Sequence, residues 1–164
     1  MISEKILNAL EEQINFEFES AYLYLGMSLK MDEANFTGFS HWLFQQYQEE
    51  LDHAHQMIDY VQRRGHTIAL KDIPAVAIET ADPVKISRDV LEHEIKVSRA
   101  IDNILALARD AKDFATEKFM MEFVEEQVEE EESARNLVDS FSCASENLSA
   151  QMMIDNMLSA REEE

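Results

Sequence analysis

Six side chains are spaced so that together they could hold metal ions: Glu17, the pair Glu50 and His53, Glu94, and the pair Gln127 and Glu130. Each falls within an apolar row on a different stretch of the chain. The first row is Leu10, Ile14, Glu17, Ala21, Tyr24, Ser28, and the second is Leu43, Tyr47, Glu50, Ala54, Met57, Val61. The third is Leu91, Glu94, Ser98, Ile101, Leu105, and the fourth is Met120, Phe123, Gln127, Glu130, Ala134, Leu137. Steps of three and four keep one face of an α-helix in register. Carboxylates from four helices are therefore expected to point at one core. A lone ionised carboxylate in a core costs several kcal/mol or gives up its charge. Four together need cations, and a pair of metal ions is the simplest supply. Glu50 and His53, three residues apart, project into the same space and suit two ligands on one ion. An oxygen-rich, histidine-poor set suits iron or manganese, and zinc would also bind.

The elements that must position these groups follow from periodicity and end signals. Five helices are predicted, over about residues 4–32, 37–64, 84–111, 114–142 and 146–160, in a single domain spanning 1–164. Ser3 is a candidate N-cap, Gly65 a C-terminal stop, and Asp82-Pro83 a helix start with proline at the first position. Short links make helices one and two antiparallel, and likewise three and four. The middle link is roughly 18 residues, unusually long inside one domain. A helix of about 28 residues is roughly 42 Å long. A link of that size can reach roughly 60 Å, so it can run the length of a bundle and start helix three parallel to helix two. The predicted fold is all-α: a four-helix bundle with one long crossover and a short fifth C-terminal helix.

Composition narrows the function classes. The 164 residues suit one domain with a sizeable core, and three Gly and two Pro favour helix over a turn-rich β fold. The formal net charge of −20 argues against nucleic acid and anionic membranes as partners and favours cations. With one cysteine, Cys143, neither an intrachain disulfide nor a Cys-x-x-Cys knuckle can form. Cys143 is expected to be a buried small apolar residue. The N-terminus starts an amphipathic helix without a signal pattern, and no apolar run approaches membrane-spanning length, so a cytoplasmic location is expected.

One Glu from each of two helices, with Glu-x-x-His from each of two others, is the di-iron arrangement of ferritin-like bundles. This chain fits on three helices and departs on the fourth, where Gln127 stands for the Glu and Glu130 for the His. The stretches Asn15–Ser20, Tyr47–His53, Leu91–Glu94 and Glu125–Glu131 resemble those of bacterial non-haem ferritins, and the resemblance runs over essentially the whole chain. It implies a ferritin-like fold. It also implies a ferroxidase: two Fe(II) are oxidised by O₂ or peroxide at a di-iron centre, and Fe(III) passes to a mineral inside a cage, by the resemblance 24 subunits. One metal site would be Glu17, Glu50 and His53. The second would be Glu50, Glu94 and Glu130, with Gln127 close by. A third iron site would use Glu49, Glu126, Glu129 and Glu130. Haem is not expected, because Leu51 stands where bacterioferritins carry the haem-ligating Met. Tyr24, on the face of Glu17, would lie near the metals and hydrogen-bond a ligand or supply an electron. Glu117 falls where the family builds entry channels, and the fifth helix where it lines a fourfold axis.

Plainer readings compete. Glu122, Glu125, Glu131 and Glu132 read as a solvated acidic face. His41, His55, His66 and His93 read as surface or packing histidines, Trp42 and Tyr47 as core or interface residues, and most methionines as core fillers. The alternative function is a di-iron oxidoreductase of rubrerythrin-like type, whose usual rubredoxin module needs four cysteines. A helical scaffold without chemistry leaves the ionisable residues in core rows unexplained.

Overall fold

The structure, a computed structural model, describes residues 2–160. The tail from Arg161, expected to fray, lies outside the described residues. Five helices and no strand occur among the described residues: α1 (Glu4–Glu33), α2 (Thr37–Arg63), α3 (Pro83–Asp110), α4 (Phe114–Cys143) and α5 (Leu148–Leu158). Most helix starts have a side-chain cap of their own. Ser3 accepts from the Ile6 amide, Asp82 from Val84, Asp113 from Thr116 and Asn147 from Ala150. Each satisfies an amide that the helix cannot. The Asn147 cap explains why α5 starts at Leu148, two residues later than the predicted start at about 146.

Helix α2 has no such cap, because Phe36 stands at its N-cap position. The acceptor comes from α5 instead. The buried Asp155 carboxylate takes the Gly38 amide at 3.1 Å and the Phe39 amide at 2.7 Å. An anion there also meets the positive end of the helix dipole. The approach is so close that a Cβ on Gly38 would lie 1.8 Å from the Asp155 carbonyl oxygen. Helix α5 is thus locked against the start of α2, and its Met153 and Met157 remain exposed.

The long crossover runs along α1. Asn15 holds its first part, donating to the Ala69 carbonyl at 3.1 Å and accepting from the Lys71 amide at 2.7 Å. Further on, Val76 packs where Gly26 lacks a side chain. The crossover therefore travels in the direction of α1, and α3 starts at the same end of the bundle as α2. That is the ferritin-like connection.

The core is divided. One apolar cluster, including Met31, Phe39, Leu43, Val90 and Phe141, fills the end that α5 closes. Another, including Ile6, Leu10, Met57, Ile101 and Met120, fills the opposite end. The sequence places Glu17, Glu50, His53, Glu94 and Gln127 between them, and all five are buried. The polar layer at mid-bundle is thus walled on both sides by hydrocarbon.

Candidate metal centre

Glu17, Glu50 and His53 are 0%, 3% and 7% exposed. Each offers a ligand atom, and those atoms lie within 4.8 Å of one another. Gln13 Nε2 donates to Glu17 Oε1 at 2.7 Å. Glu17 Oε2 is buried with no hydrogen-bond partner. An orphaned buried acceptor costs roughly 1–3 kcal/mol, and a cation shared with Glu50 and His53 would satisfy it. Glu50 Oε2 lies 3.2 Å from His53 Nδ1, and Glu126 Oε1 lies 3.3 Å from His53 Nε2. Two carboxylates and an imidazole fit a divalent cation such as Fe(II) or Zn(II).

Burial dominates the electrostatics. It pushes the Glu17 carboxyl well above the usual carboxylate range, and the negative charge of Glu50 pushes the same way. Burial also raises Glu50, against the opposing hydrogen bond with His53. For His53, burial favours the neutral ring, but contacts with Glu126 and Glu50 prevail and push it up to about 11. That hydrogen bond in turn holds Glu126 below its usual value. An imidazolium thus sits among the carboxylates, and a metal ion binding His53 must displace its proton.

Glu94 faces this group from α3 and is raised chiefly by burial. Both its oxygens accept hydrogen bonds: Oε1 from the Tyr24 hydroxyl, Oε2 from Gln127 Nε2 at 3.0 Å. Burial and then the Glu94 charge raise the Tyr24 phenol, so it stays a neutral donor. Gln127 Nε2 also reaches Ser98 Oγ at 3.3 Å. Glu130 is half-buried and accepts from Gln46 Nε2 at 3.1 Å. Glu49 is half-buried, while Glu126 and Glu129 are exposed. Among the described residues, no other set of three His, Cys, Asp or Glu groups comes as close as Glu17, Glu50 and His53. Glu94, Glu130, Glu49, Glu126 and Glu129 stand outside it. Tyr24 and Gln127 hold the Glu94 carboxylate, and Gln46 holds that of Glu130.

The sequence model of the ferritin family, a ferritin-like domain, matches residues 7–144. The chain belongs to the ferritin family. It is 40% identical over 161 residues to a bacterial non-heme ferritin of Bacteroides fragilis (strain 638R), covering 98% of this chain and 100% of that protein. It is 32% identical, over 98% of this chain and 97% of the other, to a bacterial non-heme ferritin of Staphylococcus haemolyticus. Among solved structures, an open pore ferritin of the archaeon Archaeoglobus fulgidus superposes with a TM-score of 0.96 at 41% identity, over 99% of this chain and 100% of that one. The family resemblance read from the motifs is thus upheld over the whole length.

Within this ferritin chain several residues lie where periodicity did not put them. The inward row of α2 passes through Gln46, 2% exposed, and Tyr47 is only half-buried. Gln13, also 2% exposed, had no place in the α1 row. Both are glutamines on apolar faces one turn before a site carboxylate, and that spacing is the signal that could have found them. Cys143 is exposed, contrary to expectation. It ends α4 on the outer side, while Phe141 and Ala144 take the inward positions. His93 is buried against Phe16 and Tyr24, with Nε2 2.8 Å from Ser20 Oγ. Ser20 donates its own proton to the Phe16 carbonyl, so His93 Nε2 is the donor. Burial lowers this ring to about 4, and it is neutral.

Proposed function

We propose that this protein is an iron-storage ferritin with ferroxidase activity. Fe(II) is the substrate. One ion binds Glu17, Glu50 and His53. A second binds Glu50, Glu94 and Glu130 with Gln127 beside it, so that Glu50 bridges. Each Fe(II) loses one electron, and one O₂ takes both with two protons to give hydrogen peroxide. The Fe(III) then moves past Glu130 to a third site of Glu49, Glu126, Glu129 and Glu130, and on to a mineral within a cage of 24 subunits.

The observation that carries this reading is the buried Glu17, Glu50 and His53 group with its orphaned Glu17 oxygen. The names of the relatives support iron as the cation. The chain's own residues divide the work. Glu17 and Glu50 supply charge that burial makes costly until a cation arrives. His53 gives up the proton of Nδ1, the nitrogen beside Glu50, as it becomes a ligand, while Glu126 holds the ring by Nε2. Gln127 is neutral where a second anion would bind more firmly, which suits an ion in transit. Tyr24 donates to Glu94 and orients it.

The test is aerobic Fe(II) oxidation followed at the ferric absorbance, with the Glu50→Ala/His53→Ala variant alongside. Rapid oxidation that the variant loses, with iron kept in solution at the mass of a large assembly, is the expected result. No acceleration over buffer by the wild type would remove the ferroxidase reading.

A further inference from the structure

Three site carboxylates are each held by a glutamine amide: Glu17 by Gln13, Glu130 by Gln46, and Glu94 by Gln127. Gln127 belongs to the family motif on α4. Gln13 and Gln46 belong to no motif read from the sequence. Both are 2% exposed, where an uncommitted polar side chain is costly. Gln13 reaches along its own helix, donating at 2.7 Å to one oxygen of Glu17 and leaving the other, orphaned one to the cation group. Gln46 lies one turn before Glu50 on α2 but reaches across to α4, donating at 3.1 Å to Oε2 of Glu130. Glu130 is half-buried, whereas the other carboxylates of the two-ion centre are buried.

We propose that Gln13 and Gln46 are positioning residues, each serving one half of the centre: Gln13 sets Glu17 for the ion shared with Glu50 and His53, and Gln46 sets Glu130 for the neighbouring ion. An amide is chemically suited to this. It donates a hydrogen bond and fixes the carboxylate, yet brings no net charge, so the carboxylate keeps its full attraction for an incoming cation. A lysine in either place would orient as well and compete with the metal. Partners that orient a ligand in this way commonly change metal affinity by about 10–100-fold when removed.

The proposal rests on the two-ion reading above, and its test separates the two. The probe is Zn(II), which cannot be oxidised, titrated calorimetrically into the assembled protein. All titrations carry Glu129→Ala, which disables the third site, so that Glu17→Ala and Glu130→Ala identify the binding step that belongs to each half. Gln13→Met and Gln46→Met keep side-chain length and remove the donor. Gln13→Met is expected to weaken only the Glu17 step, by about tenfold or more, and Gln46→Met only the Glu130 step. If either methionine variant fails to fold, the Gln→Asn variant, which draws the amide back by one methylene, carries the same expectation. Equal weakening of both steps, or neither step shifted beyond twofold, overturns the proposal. A Glu129→Ala parent that binds no Zn(II) in two assignable steps removes the two-ion reading itself, and this proposal with it.

Discussion

At the scale of single residues the candidate metal centre works against the stability of the protein. Glu17 carries the conflict most plainly, with one oxygen bonded to Gln13 and the other orphaned. Its folded pKa is raised, so its contribution to stability is fully present below the unfolded value of about 4.3 and is lost as pH rises through the folded value. At neutral pH the residue therefore costs stability. In Glu17→Gln the amide oxygen still accepts from Gln13, and its nitrogen donates toward Glu50 where the orphan stood. We expect the variant to be more stable than the metal-free wild type by about 1–3 kcal/mol, with the gain shrinking as pH falls toward 4. We expect it also to lose the Zn(II)-induced rise in Tm. Thermal unfolding with and without Zn(II) checks both, and a destabilised metal-free variant would contradict the assignment. The charged residues of this layer were legible because ionisable groups in apolar rows demand a reason. Of the glutamines that hold them, Gln127 was legible through the motif on the fourth helix, whereas Gln13 and Gln46 were not, since a neutral amide in an apolar row does not by itself demand a cation.

At the scale of elements, periodicity and end signals make the all-α class and the long crossover legible. The caps at Ser3 and Asp82 are local in sequence, so their chemistry can be read directly. The cap of α2 cannot be read in that way. Its acceptor, Asp155, lies 116 residues beyond Phe39, and only the docking of α5 unites them. Gly38 looks like an indifferent small residue until α5 is seen lying against it. Gly38→Ala must push the Asp155 backbone away and is expected to release α5 from the bundle. Asp155→Ala removes an acceptor from two amides, and the loss of such a cap costs about 0.5–2 kcal/mol. Protease accessibility of α5, read beside thermal unfolding, checks both: faster cleavage within 148–158 is expected, with the rest of the bundle intact. A second cap gives a pH signature. Asp113 caps α4 and binds Arg64 at 3.0 Å, tying the turn between α3 and α4 to the end of α2. Burial raises its carboxyl, but hydrogen bonds from Arg64 and Thr116 outweigh that and hold it below the usual range. The stability it adds is present above the unfolded value and lost as pH falls below about 4. Asp113→Asn keeps a capping oxygen and loses the ion pair. Its stability should follow the wild type more closely at pH 3 than at pH 7, as measured by urea unfolding.

At the scale of the whole molecule, the net charge of −20 acts beyond any one site. Seven glutamates between Glu122 and Glu132, with no lysine or arginine among them, concentrate it on α4. Glu126 of that run touches His53, and Glu130 is held by Gln46. The acidic face of α4 thus connects with the buried layer through Glu126 and Glu130. Self-repulsion of this kind costs stability, about 0.2–0.5 kcal/mol for each like pair at i, i+4. Its compensation is a field that draws cations and speeds their capture. Such a field is screened: the Debye length is about 30 Å at 0.01 M ionic strength and about 10 Å at 0.1 M. Contacts within the buried centre are shorter than either length and are screened far less. Salt should therefore act on the rate of capture more than on the number of ions held. We expect the bimolecular rate of Zn(II) or anaerobic Fe(II) uptake to fall several-fold between about 0.01 and 0.1 M ionic strength, with stoichiometry unchanged. Glu122→Gln/Glu125→Gln, which spares the residues placed in the centre, should weaken the salt dependence and leave the stoichiometry alone. Stopped-flow uptake across a salt series, paired with an equilibrium titration at each end, decides it. A rate indifferent to salt would mean that the acidic face keeps the protein soluble and does not guide the metal.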